Sequence, residues 1–167
     1  MARETVRIEG LDTLLDRLRR LGPEAAKRGG PVRRAVRKGA VIIANEAKAN
    51  VRQIVATPNI NGQDESTGTL EKSIRPVRGK PNRNGLKGET FFVMIPKRAR
   101  YPISKRTPTG MPVAMVGRML EYGTAKRRPH RWMGPAFHAK KSEAVEVIVR
   151  ELKAGIEKVA AALGRRL

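Results

Sequence analysis

Residues 119–136 read MLEYGTAKRRPHRWMGPA, and the fold turns on how this stretch is understood. It opens as an apolar segment with a single carboxylate, Glu121, then Tyr122 and a break at Gly123-Thr124. A basic loop follows, with Lys126, Arg127, Arg128 and Arg131 gathered around Pro129. Pro135 suits the first turn of a long helix, where a missing N–H has no intrahelical partner to lose. Glycine at 123 supplies a backbone shape that a side chain disfavours. A lone acid beside four cations is expected to pair with Arg127, Arg128 or Arg131, specifying register more than adding stability. Tyr122 is expected to pack at the core edge. Trp132, the only tryptophan, falls in a loop where it need not be buried, so truncating it is expected to impair assembly more than folding. The stretch carries no catalytic constellation and reads as a structural joint and a contact surface.

Outward from it, the C-terminal helix is expected over 135–164. Phe137, Ala144 with Val145, Ile148, Leu152, Ile156, Val159 and Leu163 form its stripe, with a spacing near 3.5 residues in the second half that allows packing on a neighbouring helix. Glu143, Glu146 and Glu151 lie early in it and Arg165 and Arg166 at its end, the order a helix dipole favours. A second long helix is predicted from Pro31 to about Val55, with Val32, Val36, Ala40, Ile43, Ala47, Val51 and Ile54 as its apolar face. Gly39 and Ala40 are small enough for another backbone to approach closely. Arg33, Arg34, Arg37 and Lys38 crowd the dipole's unfavourable end; a solvated basic face and an external anionic partner both account for that.

The segment LDTLLDRLRRLG (11–22) predicts a short helix with Leu11, Leu14, Leu15, Leu18 and Leu21 on one side. Leu70–Val77 reads as a helical turn leading into a strand, and TFFVMI (90–95) as the strongest strand, buried on both faces or on one face with a subunit partner. Residues 97–112 hold three prolines and predict no regular helix. Val113–Val116 reads as another short strand and 117–122 as a short helix or extended turn. Residues 57–68 and 79–89 read as flexible loops.

The chain of 167 residues is expected to form a single domain, 1–167, with a modest core resting on aliphatic side chains, since only 4% of residues are aromatic. A net charge of +21 calls for something anionic nearby: nucleic acid, a membrane surface or an acidic protein. The charge is uneven, about +9 over residues 75–106 and −2 over 57–74. With no cysteine, thiol catalysis, disulfides and thiolate metal sites are excluded. The N-terminus does not read as a signal peptide and no stretch reads as a membrane span, so no membrane partner is expected. His130 and His138 stand apart from acidic residues, and no metal or other cofactor is expected. Isolated carboxylates, serines without a base and the lack of a phosphate loop predict no enzymatic activity. Arg98, Arg100, Lys105, Arg106, Lys126, Arg127, Arg128 and Arg131 are the candidate contacts for DNA or an acidic partner. Only Tyr101 and Trp132 could stack on bases, so contact with DNA would not read sequence.

The run Leu120-Glu121-Tyr122-Gly123-Thr124, the basic spacer, Pro129, Trp132, Pro135-Ala136 and the long last helix resemble the neck or tail-completion (head–tail joining) proteins of long-tailed bacteriophages. The earlier order is also similar: a leucine-rich helix, an Ala/Val-rich helix, and Thr69-Leu70-Glu71-Lys72-Ser73-Ile74 before the first strand. Residues 79–112 are longer and more basic than the family's pattern, and Trp132-Met133-Gly134 stands where phenylalanine and leucine are commoner. The resemblance implies an α+β fold, a small antiparallel sheet packed against two long helices. It implies a virion protein, made in the host cytoplasm, that assembles as a homo-oligomeric ring, a hexamer being the candidate size, between the head connector or adaptor and the tail terminator or tail tube. In such a ring Glu121, Tyr122, Gly123, Thr124, Pro129, Trp132, Pro135 and Phe137 form the structural motif. Val147 and Val149, with the strand at 90–95, are interface candidates. A tail terminator and a non-specific nucleic-acid-binding protein are the alternative readings.

Overall fold

The computed structural model describes residues 30–56, 67–80, 89–103 and 110–162, together with Thr13, Asp16 and Arg19. In chain order these form α1 (Pro31–Ala56), α2 (Thr69–Ser73), β1 (Arg75–Arg78), β2 (Phe91–Met94), α3 (Val113–Tyr122) and α4 (Met133–Ala162). The architecture is α+β: a two-stranded antiparallel sheet packed against the pair of long helices, its contacts falling on α1.

α1 and α4 run antiparallel, since Pro31 lies against Gly155, Gly39 against Ile148, and Asn50 against Trp132. The face that α1 buries is its small one: Ala35, Gly39, Ala40, Ala44 and Ala47, with Val51 at the far end. Val32, Val36 and Ile43, expected in the apolar stripe, are only half-buried. Small side chains win because α4 comes too close for branched ones. A Cβ placed on Gly39 would stand 2.6 Å from Ile148 and 3.0 Å from the Ala144 carbonyl oxygen. α4 answers in kind with Ala136, Ala144 and Ala160 around a single large side chain, Ile156. Lys38, one of the cations crowding the start of α1, is held internally by Glu151 at 2.6 Å.

α2 and the sheet close the other side of α1. The Ile74 N–H donates to the Glu71 carbonyl, ending α2 in extended backbone that runs straight into β1. The strands pair Arg75 with Met94, Pro76 with Val93, Val77 with Phe92 and Arg78 with Phe91. Gly79 N–H donates to the Thr90 carbonyl at 2.8 Å, and Arg78 and Glu89 form an ion pair at the end of the hairpin where the two strands are joined. Of the two expectations for β2, burial on both faces does not hold within the chain: Phe92 is 55% exposed. With β1 as its one neighbour among the described residues, β2 has a single covered side.

Two boundaries differ from expectation. Residues 113–116 begin a ten-residue helix, α3, rather than a strand. Val113 is wholly buried there, and Ala114 and Leu120 also pack on the core. α4 starts at Met133, so Pro135 is its third residue rather than its first and Glu143 lies well beyond the first turn. The described parts of 97–112 are irregular, tied by a bridge between Arg100 and Pro112. Thr13, Asp16 and Arg19 are helical and exposed, with Asp16 and Arg19 paired at 3.3 Å; the leucines expected to line that helix lie outside the described residues, as do most of 57–68 and 79–89.

One core gathers Ala44, Ala47 and Val51 of α1, Leu70 and Ile74, Ile95, Val113, Trp132 and Ala136. Enlarging the helix contact should be costly. Gly39→Val is expected to destabilise by about 1–3 kcal/mol through overpacking, read as a lower urea midpoint with unchanged slope. An unchanged midpoint would mean that the helices are not in such close contact.

Candidate functional site

A helix leaves its first backbone N–H groups without intrahelical acceptors. The start of α4, Trp132-Met133-Gly134-Pro135, has no Ser, Thr, Asp or Asn to satisfy them locally. Glu121, eleven residues upstream on α3, does so instead. One carboxylate oxygen accepts from the N–H groups of Trp132 and Met133, both at 2.8 Å, and the other from Gly134 at 3.0 Å. Pro135 has no N–H to satisfy. Every backbone position from 132 to 135 is therefore accounted for by one side chain and one proline. The negative charge also sits at the positive end of the α4 dipole.

This corrects the expected ion pair with Arg127, Arg128 or Arg131: the carboxylate is engaged by the amides, and Arg131 acts on it only as a nearby charge. Partial burial pushes the Glu121 carboxyl up. The amides of Met133, Trp132 and Gly134, with Arg131, outweigh that and hold it below the ordinary carboxylate value.

Trp132 is locked by the same arrangement, and it is buried, 4% exposed, rather than displayed on a loop. Its indole N–H donates to the Gly117 carbonyl at 3.0 Å, and the Asn50 side chain of α1 donates to the Trp132 backbone carbonyl at 3.0 Å. Gly117 makes room: a Cβ there would stand 2.6 Å from Ile95 and 3.3 Å from both Leu70 and the indole. Trp132 is thus where α1, α3 and α4 meet.

The remaining motif residues turn the chain between the two helices. Gly123, at φ +78°, closes α3 by donating to the Met119 carbonyl at 2.9 Å. Thr124 exchanges backbone hydrogen bonds with Arg127 at 2.9 and 3.2 Å, and its hydroxyl accepts from the Arg127 N–H at 3.1 Å. His130 N–H returns to the Leu120 carbonyl at 2.8 Å. All of 124–131 is exposed, Pro129 and the four cations included. Tyr122 is not at the core edge but 76% exposed. Phe137 is 49% exposed, its ring edge-to-face with His138 at 5.7 Å. Val147 and Val149 are half-buried on α4.

The other cationic candidates are dispersed. Arg100 donates to the Gly110 carbonyl at 3.1 Å and braces its own loop; Lys105 and Arg106 lie outside the described residues. Arg98 joins Lys72 and Arg75 around a shallow depression of about 300 Å³, lined also by Ser73, Pro96 and Ala99. That grouping was not foreseen. Its signal is the strand register: pairing of Arg75 with Met94 brings Arg98 back past the start of β1. Among the described residues, no group of acids and histidines is placed to hold a metal, and no helix is long and apolar enough to cross a membrane. Comparison with protein-family models, curated proteins and solved structures gave no match, so any functional reading rests on the residues and their arrangement.

Glu121→Gln should lower stability at pH 7 by about 1–2 kcal/mol, the cost of losing a charged helix cap. Because the folded carboxyl titrates below its unfolded value, its contribution is complete above the ordinary glutamate range, about pH 4.3. It is lost as pH falls through the lower folded value, so wild type and variant should converge in acid. A gap independent of pH would remove the carboxylate from the cap. Truncation of Trp132 should strike folding, against the expectation from sequence. Trp132→Ala is expected to cost about 3–5 kcal/mol and Trp132→Phe, which loses only the indole hydrogen bond and some contact, distinctly less. Far-UV circular dichroism in denaturant measures both; equal stabilities would make the residue peripheral.

Proposed function

We propose that this chain is a structural subunit of a bacteriophage neck, a tail-completion or head–tail joining protein that assembles as a ring between connector and tail tube. The observation that carries the reading is the use made of the Glu121–Trp132 stretch. Residues resembling the family's motif form one joint, in which Glu121, Gly117 and Trp132 fasten α3 to α4 while Gly123 and Thr124 set a turn of four outward cations. A fixed frame that holds charged and apolar groups outward serves contact with macromolecules, and the reading requires no reaction centre. Closed rings need two different complementary faces on each subunit. The exposed side of the sheet at Phe92 and the half-buried valines of α4 remain the candidate faces. Around a channel filled with DNA, a charge of +21 per subunit would be neutralised by phosphate.

Size and salt dependence separate this from the reading the charge also supports, a non-specific nucleic-acid-binding protein. Sedimentation and negative-stain microscopy of the purified protein, alone and with the other neck proteins, should reveal a discrete ring. Arg127→Glu with Arg128→Glu should leave the fold intact and weaken docking to those neighbours at physiological salt. A persistent monomer that shifts generic duplex with steep salt dependence would replace the neck reading with the nucleic-acid one.

A further inference from the structure

α3 has two unlike sides. Val113 and Gly117 are buried, Leu120 packs on the core and Glu121 faces α4. On the outside Met115, Met119 and Tyr122 are 48%, 39% and 76% exposed. At positions i, i+4 and i+7 they form one stripe along the helix. Arg118 is exposed beside it, and the cationic turn leaves directly from its end at Gly123. Apolar side chains scattered over a surface need no explanation, but three in a row rimmed by charge mark a contact. Along the chain, the charge that flanks it has a single sign. Between Glu89 and Glu143 the sole acidic residue is Glu121, against twelve lysines and arginines, and Glu121 is spent on the α4 amides.

We propose that the outer face of α3 is a docking site for an acidic amphipathic segment of a different protein. Its apolar side chains would lie on Met115, Met119 and Tyr122, and its carboxylates would meet Arg118 and the turn at Lys126–Arg128. The inference deepens the structural-subunit reading and rests on it for the class of partner. Charge selects the occupant. Two copies meeting through this face would oppose Arg118 and both cationic turns to their own kind. A head-to-tail contact would need an acidic surface on the chain itself. Among the described residues, Glu71 is paired with Arg52, and the exposed acids of α4, Glu143, Glu146 and Glu157, are interleaved with Lys141, Lys153 and Lys158. A phosphate backbone would use the cations but gain nothing from a stripe of two methionines and a tyrosine. Those side chains adapt to an apolar partner surface, and tyrosine anchors such contacts.

The test uses the full chain and a fluorescent synthetic helix bearing a leucine stripe flanked by glutamates. Two control peptides have the glutamates changed to glutamine or the leucines to serine. Fluorescence anisotropy should show binding that falls about tenfold or more with either control. The same loss is expected for Met119→Ser with Tyr122→Ser and for Arg127→Glu with Arg128→Glu, while melting temperature and ring assembly stay as in the wild type. Equal binding of the glutamine peptide, or full binding by the stripe variant, would overturn the proposal. So would a stripe variant that melts like a core variant, which would mean that the chain covers its own stripe. A stripe variant that no longer forms rings would make a second copy the occupant. Displacement of the peptide by duplex DNA whose own binding also needs Met119 and Tyr122 would point to nucleic acid. A wild-type chain that binds the peptide but never forms a ring would refute the neck reading alone.

Discussion

The amide groups at the head of α4 point into the crossing between α3 and α4, and one carboxylate meets three of them. Local sequence could not have started this helix well. It opens Met-Gly-Pro after a tryptophan, with a glycine that weakens helix and no side chain suited to cap it. The acceptor had to come from elsewhere, and α3 delivers it. Once Glu121 is in place the indole is fixed against Gly117, and Asn50 of α1 ties onto the Trp132 carbonyl. The joint therefore couples three helices through polar bonds of defined direction, while the surrounding core of alanine, valine, isoleucine and leucine supplies burial without direction.

The second constraint is closeness. α1 and α4 meet through glycine and alanine, which places their backbones near each other along most of the pair. Small side chains bury little area apiece, but close-packed backbones give dense dispersion contact with little side-chain entropy to lose. Apart from Val51, the branched residues of α1 are left half-buried along the margins. The sheet, only two strands wide, depends on α1 for its cover, since an isolated hairpin is marginal in water.

Charge follows from the joint. With Glu121 turned inward, the long stretch between Glu89 and Glu143, which has no other acid in its sequence, carries cations from Lys97 to Lys141. Those in the turn 124–131 are held by a frame anchored at Gly123, Thr124 and His130 rather than carried on a tail. A solvated basic surface needs no such frame, and this one stands beside the exposed row of Met115, Met119 and Tyr122.

Periodicity and punctuation in the sequence determined the two long helices, the turn of helix before β1, the strand at 90–95 and the importance of the Glu121–Trp132 stretch. These depend on spacing and on local chemistry at proline and glycine, which a single chain segment carries in itself. What Glu121 binds, whether Trp132 and Tyr122 face in or out, which side of α1 is buried, and that 113–116 is helix were decided by tertiary contacts. A carboxylate beside arginines attracts them, but three aligned amides at a helix start hold it more firmly. The apolar stripe of α1 was legible as hydrophobicity, yet the distance to α4 selected size instead. Val113–Val116 carries β-branched residues at both ends. Its helical state follows from Val113, Gly117 and Leu120 facing the core together, a pattern set by the neighbours that receive them.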